Sequence, residues 1–146
     1  MHVVKQKILL VDDDPVIRET VREALLQAGF EVFTAENGQQ AIEALKKDVP
    51  DAVILDRRMP VMDGNETLKC LKADEKTSAI PVIMLTGDHD IKQVMESLEL
   101  GANEYVVKPV APEDMVIRLK VTLATGGIKR KEKKNFEGFE GNSSGW

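Results

Sequence analysis

Five short apolar segments alternate with five amphipathic segments, and this alternation restricts the fold more than any other feature of the chain. The apolar segments span residues 7–11, 31–35, 52–55, 81–85 and 105–107. The first, third and fourth consist almost entirely of Val, Ile, Leu, Ala and Met, as expected for strands buried on both faces of a sheet. Strict strand–helix alternation favours a parallel sheet with helices on both faces.

The segments between the strands carry the boundary residues and the apolar spacing of helices. Pro15 suits the first turn of a helix, where its missing N–H costs no hydrogen bond, and Gly29 ends that helix. Later helices are predicted from Asn37, over 65–73, and from Pro112. In the fourth helix, the residues expected to face the core are Ile91, Val94, Met95 and Leu98. Right-handed crossovers then favour a doubly wound (βα)5 sheet with strand order 2-1-3-4-5.

Composition limits the partners and the location of the protein. The 146 residues are 42% hydrophobic, enough for one domain with a core that needs no disulfides. A net charge of −5 argues against nucleic acid or an anionic membrane as the main partner. One cysteine and two separated histidines exclude a Cys/His zinc site. Because no apolar run approaches about 20 residues and no signal-peptide pattern is present, we expect a cytoplasmic protein.

The charge is unevenly distributed along the chain. Residues 1–125 form the predicted domain, and residues 126–146 form a separate tail. The tail opens with Gly126-Gly127, continues with a basic stretch and closes with Gly, Ser and Asn residues. This composition predicts a flexible C-terminal segment.

Polar residues follow four of the five predicted strands at their carboxyl ends. They are Asp12, Asp13 and Asp14 after the first strand, Asp56 after the third, Thr86 at the fourth and Lys108 after the fifth. In doubly wound sheets, ligands bind at this edge, where the strand order reverses. Converging carboxylates repel unless a cation lies between them, and Mg²⁺ prefers oxygen ligands. The pattern therefore predicts a magnesium site in which Asp56 can attack phosphorus while Lys108 and Thr86 hold phosphoryl oxygens.

Each of these residues also has a purely structural interpretation. Asp14 is predicted to cap the first helix, but a cap needs only one carboxylate, which leaves Asp12 and Asp13 for a metal. Asp56 could pair with either of the two arginines that follow it. The lysine and the threonine, each taken alone, are ordinary loop and strand-end residues. Their combination at one edge of the sheet favours phosphoryl chemistry.

Four segments of the chain carry a recognisable pattern. They are ILLVDDDP at 8–15, VILD at 53–56 followed by MPVMDG at 59–64, MLTG at 84–87, and YVVKP at 105–109. Together they closely resemble the response regulator receiver domain of two-component signalling, over about residues 5–125. The resemblance implies the flavodoxin-like fold and a role for each matching residue.

The implied phosphoacceptor is Asp56. The implied magnesium ligands are Asp13, Asp56 and the backbone carbonyl of Arg58, with Asp12 acting mainly through water. Lys108 is expected to contact the phosphoryl group and to precede a cis peptide bond. Thr86 and Tyr105 match the switch pair, in which the hydroxyl turns towards the phosphate and the aromatic ring follows. Gly64 is expected to supply a left-handed turn.

The resemblance implies a signalling switch rather than an enzyme. A sensor histidine kinase or a phosphotransfer protein would donate a phosphoryl group to Asp56 in a Mg²⁺-dependent reaction. The surface of the fourth helix, fifth strand and fifth helix would then bind a downstream effector protein or a second copy of the chain. Arg58 and Asp88 have opposite charges at variable positions of the family, and we expect an ion pair that slows hydrolysis of the phosphoryl group.

Two rival interpretations use the same residues. A phosphohydrolase of the haloacid dehalogenase type would use Asp12 as its nucleophile, with Asp14 as the second residue of an Asp-x-Asp pair. The acidic motif at Asp56 and the missing cap domain disfavour it. A receiver used only as a scaffold, without phosphorylation, is disfavoured because it would be free to lose its acidic, hydroxyl and lysine residues.

Overall fold

The computed structural model describes residues 4–127 and contains the five predicted strands and five predicted helices. The elements are β1 Lys7–Val11, α1 Pro15–Gln27, β2 Glu31–Ala35, α2 Gly38–Lys47, β3 Ala52–Leu55, α3 Gly64–Ala73, β4 Val82–Thr86, α4 Ile91–Glu99, β5 Glu104–Val107 and α5 Pro112–Thr125. The predicted tail lies, from residue 128 onward, outside the described residues.

All four strand pairings are parallel, and the strand order is β2-β1-β3-β4-β5. The predicted fold class is therefore confirmed. The order reverses beside β1, because the chain first moves outward to β2 and then crosses to β3. This reversal opens a crevice between the loops after β1 and β3.

Side chains alternate between the two faces of the sheet and build a separate core layer on each. Leu9 and Val53 pack with α2 and α3 on one face. Ile8 and Ile54 pack with α1 and α5 on the other face. Because the central strands are buried on both sides, their apolar runs are continuous, as the sequence indicated.

Side-chain caps set the starts of two helices close to the site. The Asp14 carboxylate accepts hydrogen bonds from the amides of Val16 and Ile17, which confirms its predicted role as the cap of α1. Asp63 and Glu66 form a reciprocal capping box at α3. As a result α3 begins at Gly64, one residue before the predicted start.

The prediction for the apolar face of α4 is wrong at two positions. Ile91 is 70% exposed and Met95 is 50% exposed, and of the nine helical residues only Ser97 is fully buried. Leu98 packs against the core, as predicted. Helical periodicity locates an apolar stripe, but it does not show whether another element covers the stripe. Here α4 lies near the end of the sheet, beside the edge strand β5.

None of the helices in the described part of the chain is long and apolar enough to cross a bilayer.

Candidate functional site

The strand register brings Asp12 and Asp56 side by side. Val11 pairs with Leu55, so the next residue of each strand lies at the same edge of the sheet. The Asp56 amide donates to the Val11 carbonyl at 2.9 Å, which extends the pairing by one step. Both carboxylates are almost completely buried, with 1% of Asp12 and 5% of Asp56 exposed. Two buried carboxylates are therefore held next to one another.

Asp13 completes a cluster of three carboxylates. One oxygen each from Asp12, Asp13 and Asp56 can be chosen so that the three atoms lie within 4.8 Å of one another. Asp13 is exposed, so the cluster is open to solvent on one side. Three hard oxygen donors with an open side suit Mg²⁺, which keeps several waters or phosphoryl oxygens in its shell. Asp14 does not join this cluster, because its carboxylate caps α1.

Lys108 lies between the two buried carboxylates. Its Nζ is 2.8 Å from Asp12 Oδ2 and 3.4 Å from Asp56 Oδ2. The pairing of Thr86 with Val107 explains this position, because Lys108 follows Val107 at the same edge. Burial acts to lower the pKa of Lys108, but the two carboxylates outweigh it and the pKa is raised. The ammonium group stays charged and partly compensates the clustered negative charge.

The acidity of Asp56 is set by its surroundings. Burial is the main cause that raises its pKa, and the Asp12 carboxylate adds to the effect. Lys108 and the Thr86 hydroxyl act in the opposite direction, and the resulting pKa is about 6. A group with this pKa is deprotonated at neutral pH, as a nucleophile must be, yet its negative charge is poorly solvated.

Thr86 and Tyr105 lie on adjacent strands beside the Asp56 carboxylate. Thr86 is 1% exposed, at the end of β4, and its hydroxyl lies close enough to Asp56 to affect its pKa. Tyr105 pairs with Met84 in the register, and its hydroxyl donates to the Asp88 carbonyl at 2.6 Å. Thr86 directly precedes the loop after β4, and Tyr105 is hydrogen-bonded to Asp88 in that loop. The loop therefore connects the two residues predicted as a switch pair.

The arginines after Asp56 do not pair with it, contrary to the structural alternative considered for the sequence. Arg57 Nη1 lies 2.9 Å, and Arg58 Nη2 3.2 Å, from Asp88 Oδ2. The predicted Arg58–Asp88 pair is confirmed, but Arg57 is a second and more buried partner that the sequence did not indicate. The Arg58 amide lies 3.4 Å from Asp56 Oδ1, so the backbone of Arg58 also adjoins the site.

The backbone at Gly64 is not left-handed, so the expected role of this glycine is corrected. In the described residues, positive φ occurs at Val61 and at four other glycines, which are Gly29, Gly101, Gly126 and Gly127. A Cβ at Gly64 would lie 2.2 Å from the Asp56 carbonyl oxygen and 2.7 Å from Arg57 Cα. The glycine is needed for close approach of α3 to the loop after β3. The predicted cis peptide bond between Lys108 and Pro109 is confirmed.

An open cleft of about 620 Å³ lies next to the Asp56 carboxylate. The residues around it are Asp56, Arg58, Thr86, Gly87, Asp88, His89, Asp90 and Lys108. The cleft combines the buried Asp56 carboxylate, the Lys108 cation and the Thr86 hydroxyl, and Asp56 also belongs to the cluster of three carboxylates. This combination suits transfer of a phosphoryl group to a carboxylate.

Comparison with known proteins identifies the family. The sequence profile of the response regulator receiver domain matches residues 8–120. The chain belongs to this family. Receiver domains are signalling modules of two-component systems, and the family is not a family of enzymes.

The relatives of this receiver domain include longer regulators. It is 42% identical over 124 residues to the phosphate regulon transcriptional regulatory protein PhoB of Pseudomonas aeruginosa, covering 85% of this chain and 54% of that protein. It is 38% identical to the DNA-binding response regulator MtrA of Mycolicibacterium smegmatis, over 84% of this chain and 53% of that protein. The chain thus spans about half the length of these relatives.

Solved structures share the fold. The chemotaxis response regulator CheY4 of Vibrio cholerae superposes with a TM-score of 0.77 at 35% identity, over 81% of this chain and 98% of that one. The receiver domain of the sensor histidine kinase PA1611 of Pseudomonas aeruginosa also superposes with a TM-score of 0.77, at 29% identity, over 84% of this chain and all of that one. That structure has a magnesium ion coordinated in its active-site cleft. The receiver domain described here has an acidic cluster suited to the same ion. No comparison supports the phosphohydrolase alternative.

Proposed function

We propose that this receiver domain is a phospho-acceptor switch and that Asp56 is the acceptor. The observation that carries the proposal is the position of the buried Asp56 carboxylate, 3.4 Å from Lys108 and in one acidic cluster with Asp12 and Asp13. The phosphoryl donor is a phosphohistidine of a sensor histidine kinase or of a phosphotransfer protein. A cytoplasmic location is part of the proposal, in keeping with the response regulators among its relatives.

In the proposed reaction, an Asp56 oxygen forms a bond to phosphorus while the bond between phosphorus and the donor nitrogen breaks. The electron pair of the broken bond stays on the imidazole, which takes up a proton. Lys108 and Thr86 hold phosphoryl oxygens by a charge-assisted hydrogen bond and a hydroxyl hydrogen bond. Asp13, Asp56 and the Arg58 carbonyl would hold Mg²⁺ directly and Asp12 mainly through water, and the ion would neutralise charge between the carboxylate and the incoming group.

The acyl phosphate carries roughly −1.5 to −2 charges in place of the single negative charge of the ionised Asp56 carboxylate, at a site that also contains Asp12 and Asp13. Thr86 turns towards the new oxygens, and Tyr105 follows into the space it leaves. The change reaches the surface formed by α4, β5 and α5. The apolar side chains already exposed on this surface are Ile91, Met95, Val107, Ile117 and Val121. A downstream effector protein or a second copy of the chain binds there.

Treatment with acetyl phosphate and Mg²⁺, followed by intact mass measurement, tests this proposal. We expect the wild-type protein to gain the mass of one phosphoryl group and Asp56→Asn to gain none. Asp114→Asn is a matched control, because Asp114 is an exposed aspartate in the first turn of α5. Peptide mapping assigns the modified residue.

Label on Asp12 would contradict the proposal and support the phosphohydrolase alternative. A folded wild-type protein that takes up no phosphoryl group, with acetyl phosphate or with a phosphorylated histidine donor, would support the scaffold alternative instead. Oligomeric state, measured by light scattering with and without acetyl phosphate, shows whether a second copy binds the α4–β5–α5 surface.

A further inference from the structure

Arg57 lies at the centre of a polar network that connects the loop after β3 with α4. Its Nη1 donates to Asp88 Oδ2 at 2.9 Å, and its Nη2 donates to the side-chain oxygen of Gln93. Nη2 also lies 3.6 Å from Glu96 Oε1. One guanidinium group, next to the proposed acceptor in the chain, therefore contacts both the loop after β4 and two residues of α4.

The same network continues into α3. Asn65 donates to Glu96 Oε1 at 2.8 Å and accepts from the Ser97 hydroxyl at 2.9 Å. Asn65 and Ser97 are buried, so the bond between them is protected from water, whereas the Glu96 side chain is 57% exposed. Ile91 and Met95 are exposed and Ser97 is the one fully buried residue of α4, so these polar contacts join the packing of Leu98 in attaching the helix.

Asp88 connects Arg57 with the tyrosine. Its carboxylate accepts from Arg57, while its backbone carbonyl accepts from the Tyr105 hydroxyl at 2.6 Å. Arg58 reaches the same carboxylate oxygen, but 74% of its side chain is exposed, against 16% for Arg57. An exposed ion pair contributes little, so Arg57 is the partner that holds Asp88 in place.

The position of Arg57 in the chain is itself constrained. Its carbonyl accepts from the Gly64 amide at 2.7 Å, and its Cα lies where a Cβ on residue 64 would clash. The Asp56 carboxylate is contacted by Lys108, whereas the Arg57 guanidinium contacts Asp88, Gln93 and Glu96. Arg57 is therefore anchored beside the acceptor but acts on the output side of the site.

We propose that Arg57 is a positioning residue that holds α4 and the Asp88 carbonyl in the arrangement that receives the Tyr105 hydroxyl. Its planar guanidinium group donates to Asp88 from Nη1 and to Gln93 from Nη2, so one rigid group holds both partners. When the contacts of Arg57 with Asp88 and Gln93 are lost, phosphorylation at Asp56 no longer produces the movement of Tyr105 and α4. The inference rests on the proposed function for its signalling role, although the positioning itself belongs to the unphosphorylated protein.

The single tyrosine of the chain makes the test direct, because 3-fluorotyrosine labelling yields one fluorine NMR resonance, that of Tyr105. Amide hydrogen exchange of residues 91–99 reports on α4 in the same samples. In Arg57→Ala without phosphate, we expect a shifted or broadened Tyr105 resonance. We also expect exchange in α4 to be faster by about tenfold or more, as for loss of a charge-assisted hydrogen bond.

Two further variants separate the contacts of the network. Gln93→Ala removes the hydrogen bond from Arg57 to α4 but leaves the contacts with Asp88 and Glu96, and we expect faster exchange in α4 with an unchanged Tyr105 resonance. Arg58→Ala removes the exposed partner of the same Asp88 oxygen, and we expect both signals to stay as in wild type. Gln93→Ala also keeps the proposal testable if Arg57→Ala does not fold.

Acetyl phosphate with Mg²⁺ tests the coupling. We expect Arg57→Ala to take up the phosphoryl group as wild type does, while its Tyr105 resonance no longer follows the wild-type change. An Arg57→Ala protein with wild-type Tyr105 and α4 signals, or with changes no larger than those of Arg58→Ala, would overturn the inference. If wild type takes up no phosphoryl group, the proposed function fails, but the measurements without phosphate still decide the positioning role.

Discussion

At the scale of single residues, the acidity of Asp56 links the site to the stability of the fold. Burial and the Asp12 carboxylate raise the pKa of this group from 3.8 to about 6 in the folded protein. The Lys108 ammonium compensates only part of the free energy cost of burying the ionised Asp56 carboxylate, because the same ammonium also pairs with Asp12. Without a bound cation, these clustered carboxylates lower the free energy of unfolding, and this loss of stability can be measured.

We expect the free energy of unfolding of wild type, without divalent cations, to fall relative to Asp56→Asn as the pH rises from about 4 to about 7. Between the two pKa values the folded protein binds more protons than the unfolded chain, so unfolding becomes easier with rising pH. The pKa difference sets an upper value of about 3 kcal/mol for the relative loss. Denaturant titrations of both proteins across this range measure it. A stability difference that does not change with pH would contradict the assignment.

The Arg58–Asp88 ion pair lies at the mouth of the cleft, where a hydrolytic water must enter. We expect Arg58→Ala to speed the loss of the phosphoryl group from Asp56 by about 1.5- to 5-fold, the range expected for an exposed ion pair. The measurement is the decay of phosphorylated protein by intact mass after removal of acetyl phosphate. Arg22→Ala, which removes an exposed arginine of α1, is the control. An unchanged or slower decay in Arg58→Ala would refute the role of the pair.

At the scale of elements, the loop between β3 and α3 depends on the close approach of two backbone segments. The capping box of Asp63 and Glu66 fixes the first turn of α3, and Gly64 lets this turn lie against the carbonyl of Asp56. The loop therefore sets the position of the Asp56 backbone as well as the start of α3.

We expect Gly64→Ala to destabilise the protein by about 1 to 3 kcal/mol, because the added methyl group overlaps backbone that has little freedom to move. Gly87→Ala is the matched control, since a Cβ there would meet nothing within 4 Å. Thermal or urea unfolding of the two variants measures the difference. Equal stability of the two variants would show that the loop can relax to accept the methyl group, and it would contradict the proposed need for glycine at position 64.

At the scale of the whole molecule, the acidic cluster exists only when β1 and β3 are paired. Asp12 and Asp13 are more than forty positions away from Asp56 in the chain, so the unfolded protein offers no comparable site. A cation bound there stabilises the folded state by mass action. Metal binding and folding are therefore linked.

We expect Mg²⁺ at about ten times its dissociation constant to stabilise wild type by about 1.4 kcal/mol, which corresponds to a rise in Tm of about 5 °C. Asp13→Asn should lose this rise, because it removes one of the three oxygen donors. Asp114→Asn should retain it. Calorimetry with Mg²⁺ and with EDTA provides the comparison, and an equal rise in Asp13→Asn and wild type would exclude the predicted site.

The sequence by itself determined the order of the elements, the type of sheet and the main members of the site. Continuous apolar runs indicate buried parallel strands, and residues at the ends of such strands must meet at one edge. Asp12, Asp13, Asp56, Thr86 and Lys108 could be assigned to that edge because each stands directly after, or at the end of, a strand. These inferences use local pattern and the symmetry of parallel pairing, and both can be read along the chain.

Only the tertiary structure decided which polar groups pair and which apolar groups stay exposed. Arg57 pairs with Asp88 and Gln93, more than thirty residues away, and no local pattern distinguishes it from Arg58. Met95 has the spacing of a core residue but remains half exposed. The sequence predicts a left-handed turn at Gly64, whereas the structure needs this glycine for the close approach of α3 to the Asp56 carbonyl. In each case the deciding quantity is a distance between segments that are remote in sequence, and that distance exists only after the helices pack on the sheet.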